Sequence, residues 1–500
     1  MEDQPITWKR DLSSTDLMMY RGDSTARSRS SMMYIETLDR VPDWQRLRTE
    51  TDRVSRVAIR LRQHVVAPLL PLAPARWVVD PDFDLDYHLR RITLPEPRTF
   101  EHLLEVAAKM YASPLDLSRP LWEVTLVDGL EGGEERAALV WKMSHAITDG
   151  VGGVILDRML RTTEREPPPR PMPTLPSPED VTPMELTRAA ARRLPLKLVT
   201  GSVRRLSDAA GTARRAARDP QGAVRDTVRV VGTVRKLVSA AVEPSPLLAG
   251  RSVNRRFAAH DVALADLRAA AKAQGCSVND AYLSAVTGAL RRYHEELGMP
   301  IAAITMALPI NLRTSTEAGA IENKWAAATV AAPVAERDPV RRMRALRELV
   351  LTARTDANVD VLGLIAPVLA WFPEQLLAGV GAGTLGIDVQ VSNVPGNAAP
   401  RYVAGAKVLR AVPLGPVPGV AMMVTMMSTS GRCFVGVNYD PAAVTDHDRF
   451  VRCLREGFDE VLATTGGSTR RSSAKKAPTS PARKPAPAPK PAKRAARSKP

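Results

Sequence analysis

The sequence predicts a mixed α/β protein built from two domains and a long connector. Three observations predict it. At 500 residues the chain exceeds one ordinary core. Helix-spaced apolar residues alternate with short β-rich runs on both sides of the middle. Between them, seven prolines in the twelve residues 167–178 break every periodic pattern.

In chain order, residues 1–165 read as the first domain. Trp77-Val-Val-Asp-Pro-Asp-Phe-Asp-Leu carries strand and turn chemistry. Phe100 to Ala112 places Leu103, Leu104, Ala107, Ala108 and Tyr111 at helical spacing. Glu123-Val-Thr-Leu-Val-Asp and Ala137-Ala-Leu-Val-Trp-Lys-Met flank a polar Gly-rich stretch and read as a hairpin. Residues 166–256 form the connector: the proline run, then an Arg-rich stretch with helix-like spacing of Leu, Val and Ala. The second domain spans 257–465. Leu264 to Gln274 and Asn279 to Leu297 read as helices, and Val389-Gln-Val-Ser-Asn and Phe434-Val-Gly-Val-Asn-Tyr as strands. Residues 466–500, rich in Lys, Ala and Pro, have almost nothing to bury and are expected to be disordered.

The net charge of +16 belongs to two segments. Residues 466–500 hold eleven Lys/Arg and no acid, and residues 187–236 hold thirteen Lys/Arg against three Asp. The remainder is slightly acidic, so basicity says little about the folded domains. Three cysteines without a CxxC pair fit a reducing compartment. The first residues lack a basic start followed by an apolar run, and Val361 to Phe372 is too short for the ~20 residues of a membrane span. A cytoplasmic protein with at most peripheral membrane contact is expected. No Cys/His cluster has metal-ligand spacing, and neither a phosphate-binding glycine loop nor a Gly-x-Ser-x-Gly elbow occurs.

Of seven histidines, one has neighbours that suggest chemistry. His145, in Ser144-His145-Ala-Ile-Thr-Asp149-Gly150, follows a strand-like run and precedes a helix-like one. An imidazole at a strand end can face a cleft, and its ordinary pKa of about 6.5 suits proton removal near neutral pH. Asp149 is placed to orient the turn, and Gly150 allows backbone angles other residues avoid. On spacing alone, His-x-x-x-Asp-Gly is a weak pattern, and a histidine satisfied by local hydrogen bonds is the bland alternative.

Five blocks in order give it weight. Asp82-Phe-Asp-Leu-Asp-Tyr-His-Leu-Arg-Arg, Pro114-Leu-Asp-Leu-Ser-Arg-Pro-Leu-Trp-Glu, the His145 block, Val278-Asn-Asp-Ala-Tyr-Leu and Val391-Ser-Asn-Val-Pro-Gly together resemble the bacterial wax ester synthase/diacylglycerol acyltransferase family. The resemblance runs from about Leu12 to Thr464. The chain departs from the family pattern HHxxxDG at one place, where Ser144 replaces the first histidine. In an extended strand, neighbouring side chains point to opposite faces, so Ser144 and His145 are not expected to share a cleft.

The resemblance implies a fold of two chloramphenicol-acetyltransferase-like domains facing each other, with substrates between them. It implies transfer of a long-chain acyl group from acyl-CoA, as co-substrate and with no permanently bound cofactor, to diacylglycerol or a long-chain alcohol. His145 is then the general base and Asp149 an orienting group. Asn279 is a candidate polar group at the site, with a helix N-cap as its alternative. Ser144, Gly150, Trp122, Asp280, Ser392 and Asn393 are further candidates for lining or shaping the substrate site. Cys276 reads as capping and packing, and Arg313 as a candidate partner for Asp149. The competing reading is an attenuated or inactive paralogue that binds lipid droplets or membranes. A condensation-type enzyme using a carrier-bound acyl group is more distant, since the chain shows no carrier domain. The Arg-rich connector has the composition of helices lying on an anionic membrane. The basic tail suits DNA or acidic lipid without base stacking, as it has no aromatic residue.

Overall fold

The computed structural model describes residues 8–70, 73–148, 150–193, 242–311, 325–356 and 387–465. Asp149, Arg313, the apolar run 361–377, most of the Arg-rich connector and the tail lie outside them.

The strands are β1 (Ser31–Leu38), β2 (Gln63–Val66), β3 (Arg76–Val79), β4 (Leu89–Thr93), β5 (Trp122–Asp128), β6 (Ala137–Ser144), β7 (Arg256–Ala263), β8 (Ile304–Asn311), β9 (Trp325–Ala332), β10 (Val389–Pro395), β11 (Tyr402–Val403), β12 (Ala406–Leu414), β13 (Met422–Thr429) and β14 (Arg432–Tyr439). The helices are α1 (Ser14–Gly22), α2 (Trp44–Val57), α3 (Leu85–His88), α4 (Phe100–Ala112), α5 (Gly150–Leu160), α6 (Pro183–Arg193), α7 (Leu264–Ala273), α8 (Val278–Glu296), α9 (Pro339–Asp356) and α10 (His447–Leu462).

Two six-stranded mixed sheets dominate, in the orders β11-β12-β1-β6-β5-β4 and β7-β14-β13-β10-β8-β9. The predicted hairpin is present: β5 and β6 pair antiparallel from Trp122↔Met143 to Asp128↔Ala137. The helix over 100–112 forms where its spacing places it. Thr99 caps it, accepting from the backbone of His102, and Leu103, Leu104, Ala107, Ala108 and Tyr111 are buried. In the second half, α8 and α10 cover one face of the second sheet over a core running from Leu248 to Val461. The helices pack closely there: a Cβ on Gly457 would stand 2.4 Å from the carbonyl oxygen of Ala285.

The division of the chain at 165 and 257 differs from the structure in one respect. Residues 402–414, assigned by sequence to the second domain, leave the second sheet between β10 and β13 and pair as β11 and β12 with the first sheet. Strand β12 lies antiparallel to β1, with Ile35 opposite Val412. A long-range pairing of this kind has no local signature, since any apolar alternating strand satisfies it. Its effect is to bring the two sheets together: a Cβ on Gly436 of β14 would stand 1.9 Å from the Pro413 carbonyl oxygen of β12, so only glycine permits this approach.

The proline run 167–178 has no regular secondary structure and is tied to the first domain by Arg56, which donates to the Pro173 carbonyl at 3.2 Å. Of the predicted basic helices, α6 lies within the described residues, started by a reciprocal box between Thr182 and Glu185. Among the described residues, no helix is long and apolar enough to cross a membrane.

Candidate active site

Strand β6 ends at Ser144, and the chain turns at 145–147 before α5 begins. The turn is held from three sides. The Ile147 amide donates to the Ser144 carbonyl at 3.1 Å, the Ala146 amide to the Ser144 hydroxyl at 3.1 Å, and the His145 amide to the Ser30 carbonyl at 3.3 Å. His145 thereby lines a cavity of about 150 Å³ between the two sheets.

The walls follow the two-residue period of strands. Trp141, Met143 and His145 come from β6 and its end, with Met32 and Tyr34, and out of period Met33, from β1. Across the cavity stand Ser392, Val394 and Gly396 from β10 and its end, and Met423, Thr425 and Met427 from β13. One face of α5, including Val154 and Asp157, closes a side together with Arg161 just past its end, and Pro413 to Pro416 closes another. The lining is largely apolar, as a site for aliphatic chains requires.

Ser144 faces the other way, as the strand period predicts. It is fully buried, pairs with Ser31 in the β1–β6 ladder, and hydrogen-bonds the carboxyl of Asp23. Asp23 also accepts from the Ser30 amide at 2.9 Å and the Ser31 hydroxyl at 3.0 Å. Burial raises the Asp23 pKa, against the pull of the Ser144, Ser31 and Ser30 hydrogen bonds. A small hydroxyl thus occupies the position of the family's first histidine and ties the back of the turn to a buried acid.

The other predicted residues fall into two groups. Ser392 lines the cavity, and Gly150 starts the helix on its flank. Asn279 and Asn393 are not among the lining residues: on the helix-facing side of β10, the Asn393 amide donates to the Asn279 side-chain oxygen at 3.3 Å. The N-cap of α8 is Ser277, two residues before Asn279, so the alternative reading of Asn279 as a cap is corrected. Asp280 closes that capping box, accepting from the Ser277 amide at 2.8 Å, and pairs with Arg347 at 3.3 Å. Burial and then Asp280 raise the Cys276 thiol pKa, which makes it a poor nucleophile. Trp122 stands behind the wall: its indole donates to the Leu61 carbonyl at 2.8 Å, and its ring lies 6.4 Å from that of Trp141.

Sequence reasoning missed Thr425. It stands directly opposite Ser392 in the parallel β10–β13 ladder, and its buried hydroxyl has no hydrogen-bond partner among the described residues. No local motif marks it; only the register does. Among the described residues, no group of three or more His, Cys, Asp or Glu side chains is placed to hold a metal ion.

Two facing mixed sheets, with a histidine at a strand end between them, define the chloramphenicol-acetyltransferase-like class of fold. The comparisons then give the family. Residues 10–282 match the wax ester synthase/diacylglycerol acyltransferase catalytic domain, and residues 321–461 match the C-terminal domain of the same family. A chain of Mycobacterium tuberculosis bearing a provisional assignment as a diacylglycerol O-acyltransferase is 46% identical over 92% of this chain and 93% of its own. Among solved structures, the wax ester synthase/diacylglycerol acyltransferase of Marinobacter aquaeolei VT8 has a TM-score of 0.60 at 20% identity, covering 91% of this chain and 99% of that one. The first condensation domain of the calcium-dependent antibiotic synthetase has a TM-score of 0.57 at 15% identity, covering 92% and 98%. These two likenesses are of fold. The chain belongs to the wax ester synthase/diacylglycerol acyltransferase family.

Proposed function

We propose that this protein transfers an acyl group from acyl-CoA to the hydroxyl of a neutral lipid, diacylglycerol or a long-chain alcohol. The observation that carries the reading is His145 at the edge of an apolar cavity between the two sheets. His145 takes the proton of the acceptor hydroxyl as its oxygen attacks the thioester carbonyl carbon. The carbonyl electrons move onto oxygen, and the Thr425 hydroxyl, with Ser392 beside it, is placed on the opposite wall to donate to that oxyanion. Collapse breaks the carbon–sulfur bond, and the CoA thiolate recovers the proton from the imidazolium. No acyl-enzyme is needed. Asp149 keeps its orienting role in this reading.

The substrates are water-insoluble, and peripheral contact with an anionic lipid surface completes the proposal. Leu69 and Leu70, 60% and 45% exposed, sit against α6 through the Leu69 amide, which donates to the Thr187 hydroxyl. Arg188 and Arg192 follow on that helix, and further Arg residues follow in sequence. Deleting 466–500 is expected to leave turnover unchanged and to weaken sedimentation with anionic vesicles at low salt.

The test of function is product formation. Purified protein with radiolabelled hexadecanoyl-CoA and either dioleoylglycerol or hexadecanol yields labelled triacylglycerol or wax ester. Absence of both products, in protein that is folded and binds lipid, supports the inactive lipid-binding paralogue instead.

A further inference from the structure

Apart from His145, Ser392 and Thr425 at the reacting position, the polar groups of the cavity lie together at one end. There α5, β1 and the segment before β11 bring together Glu36, Asp157, Arg161 and Arg401, all but Asp157 more than nine-tenths buried. Arg161 holds Glu36 with two nitrogens, Nε at 3.2 Å from Oε1 and Nη2 on Oε2. Arg401 places Nη1 at 2.8 Å from both oxygens of Asp157 and 3.5 Å from Glu36. Two cations and two carboxylates cancel, so the cluster has no surplus charge to attract an anion.

Its hydrogen bonding does not cancel. Every carboxylate oxygen accepts a guanidinium N–H, while Nη1 of Arg161, which lines the cavity, is buried without a partner among the described residues. Arg161 and Asp157 line the cavity, as does Tyr34, whose hydroxyl accepts from Arg401 and stands 3.5 Å from the Met427 sulfur. Buried donors left unsatisfied are costly, and an oxygen acceptor supplied by a ligand removes that cost. The complement of a neutral, donor-rich cluster is an uncharged acceptor oxygen.

The placement sets where that oxygen lies. The His145 amide bonds to Ser30. Tyr34 and Glu36 are four and six residues further along β1, roughly 13 and 20 Å at the rise of a strand. Helix α5 runs the same way, from Gly150 near His145 to Leu160 beside Arg161. A lipid reacting at His145 therefore reaches the cluster with the middle of a long chain.

We propose that this end of the cavity is a subsite for an uncharged oxygen, such as a keto group, carried near the middle of a long aliphatic chain. The inference rests on the acyl transfer proposed above and deepens it to a substrate class. The chain belongs either to the acyl thioester or to the acceptor alcohol, and the experiment separates them. One arm compares 12-oxooctadecanoyl-CoA with octadecanoyl-CoA, using hexadecanol as acceptor. The other compares 12-oxooctadecan-1-ol with octadecan-1-ol, using hexadecanoyl-CoA as donor.

Wild-type protein is expected to favour the keto compound about tenfold in kcat/KM in one arm, the size of one hydrogen bond to a charged donor. Replacing the pair together, Glu36→Leu with Arg161→Met, leaves Asp157 and Arg401 matched and is expected to abolish that preference, read as the ratio of the two kcat/KM values on one preparation. Tyr34→Phe, a milder change, is expected to reduce it. Equal kcat/KM for keto and unsubstituted chains in both arms of wild-type protein overturns the subsite and leaves acyl transfer standing. A preference that persists in both variants also overturns it. No turnover of any of the four compounds by wild type contradicts the proposed function and the subsite with it.

Discussion

Ser392 and Thr425 are cross-strand neighbours in the β10–β13 ladder, and both face the cavity that His145 faces from the opposite sheet. In the proposed reaction these two hydroxyls donate to the developing oxyanion. Thr425→Val keeps the shape and removes the donor, so kcat is expected to fall about a hundredfold with KM for acyl-CoA nearly unchanged. Ser392→Ala is expected to cost less. Steady-state kinetics on both variants checks this, and a Thr425→Val enzyme of wild-type kcat contradicts the assignment.

The contact of Gly436 with the Pro413 carbonyl joins the two sheets backbone to backbone. A methyl group there cannot be accommodated by turning a side chain. Gly436→Ala is expected to lose about 3 kcal/mol of stability, at the upper end of overpacking costs, and to lower activity by shifting Pro413 and Leu414 in the cavity wall. Urea unfolding and turnover measured on the same preparation check both parts.

Ser144 supports the turn from behind. Its hydroxyl serves Asp23 and the Ala146 amide at once. Ser144→Ala removes one of three hydrogen bonds to a buried acid and strands a buried amide, and a loss of about 2 kcal/mol is expected. The activity loss at 25 °C is expected to stay under tenfold, since the imidazole of His145 is untouched. Ser144→His must fit a ring into a fully buried position, so it is expected to destabilise the protein and not to speed it.

His88 gives a pH dependence with a definite sign. Its Nδ1 donates to the Trp122 carbonyl at 2.7 Å, its ring stacks on Trp122, and burial pushes its pKa down to about 4. The unfolded chain takes up this proton near pH 6.5 and the folded one only near 4. Stability from neutral His88 is thus complete above pH 6.5 and is lost as pH falls towards 4, by roughly 3 kcal/mol. Asp388, whose carboxyl burial raises to about 6, acts in the opposite direction over part of this range. The difference between wild type and His88→Gln in unfolding free energy at pH 7.5 and pH 5 isolates the histidine. The gap is expected to shrink at the lower pH.

Much of the site was legible in the sequence where chemistry is local. His145 stood out by its position after a strand-like run, the opposed directions of Ser144 and His145 followed from the strand period, and α4, the β5–β6 hairpin and β14 followed from periodicity. Thr425 was invisible because its role comes from register with Ser392, and Met422–Thr429 carries no motif. The crossing of β12 into the first sheet was invisible for the same reason. Glu36, Asp157, Arg161 and Arg401 span 365 residues of sequence and meet only in the fold. Asn279 was read as a site group or a cap; it is placed against Asn393, because Ser277 begins the helix two residues earlier.

The most direct measurement is acyl transfer by His145→Ala beside wild type, with hexadecanoyl-CoA, dioleoylglycerol or hexadecanol, and thiol release as the readout. The account predicts a fall in kcat of at least a hundredfold, about the size of a lost general base, in a protein of unchanged unfolding midpoint. Turnover equal to wild type in the folded variant contradicts it.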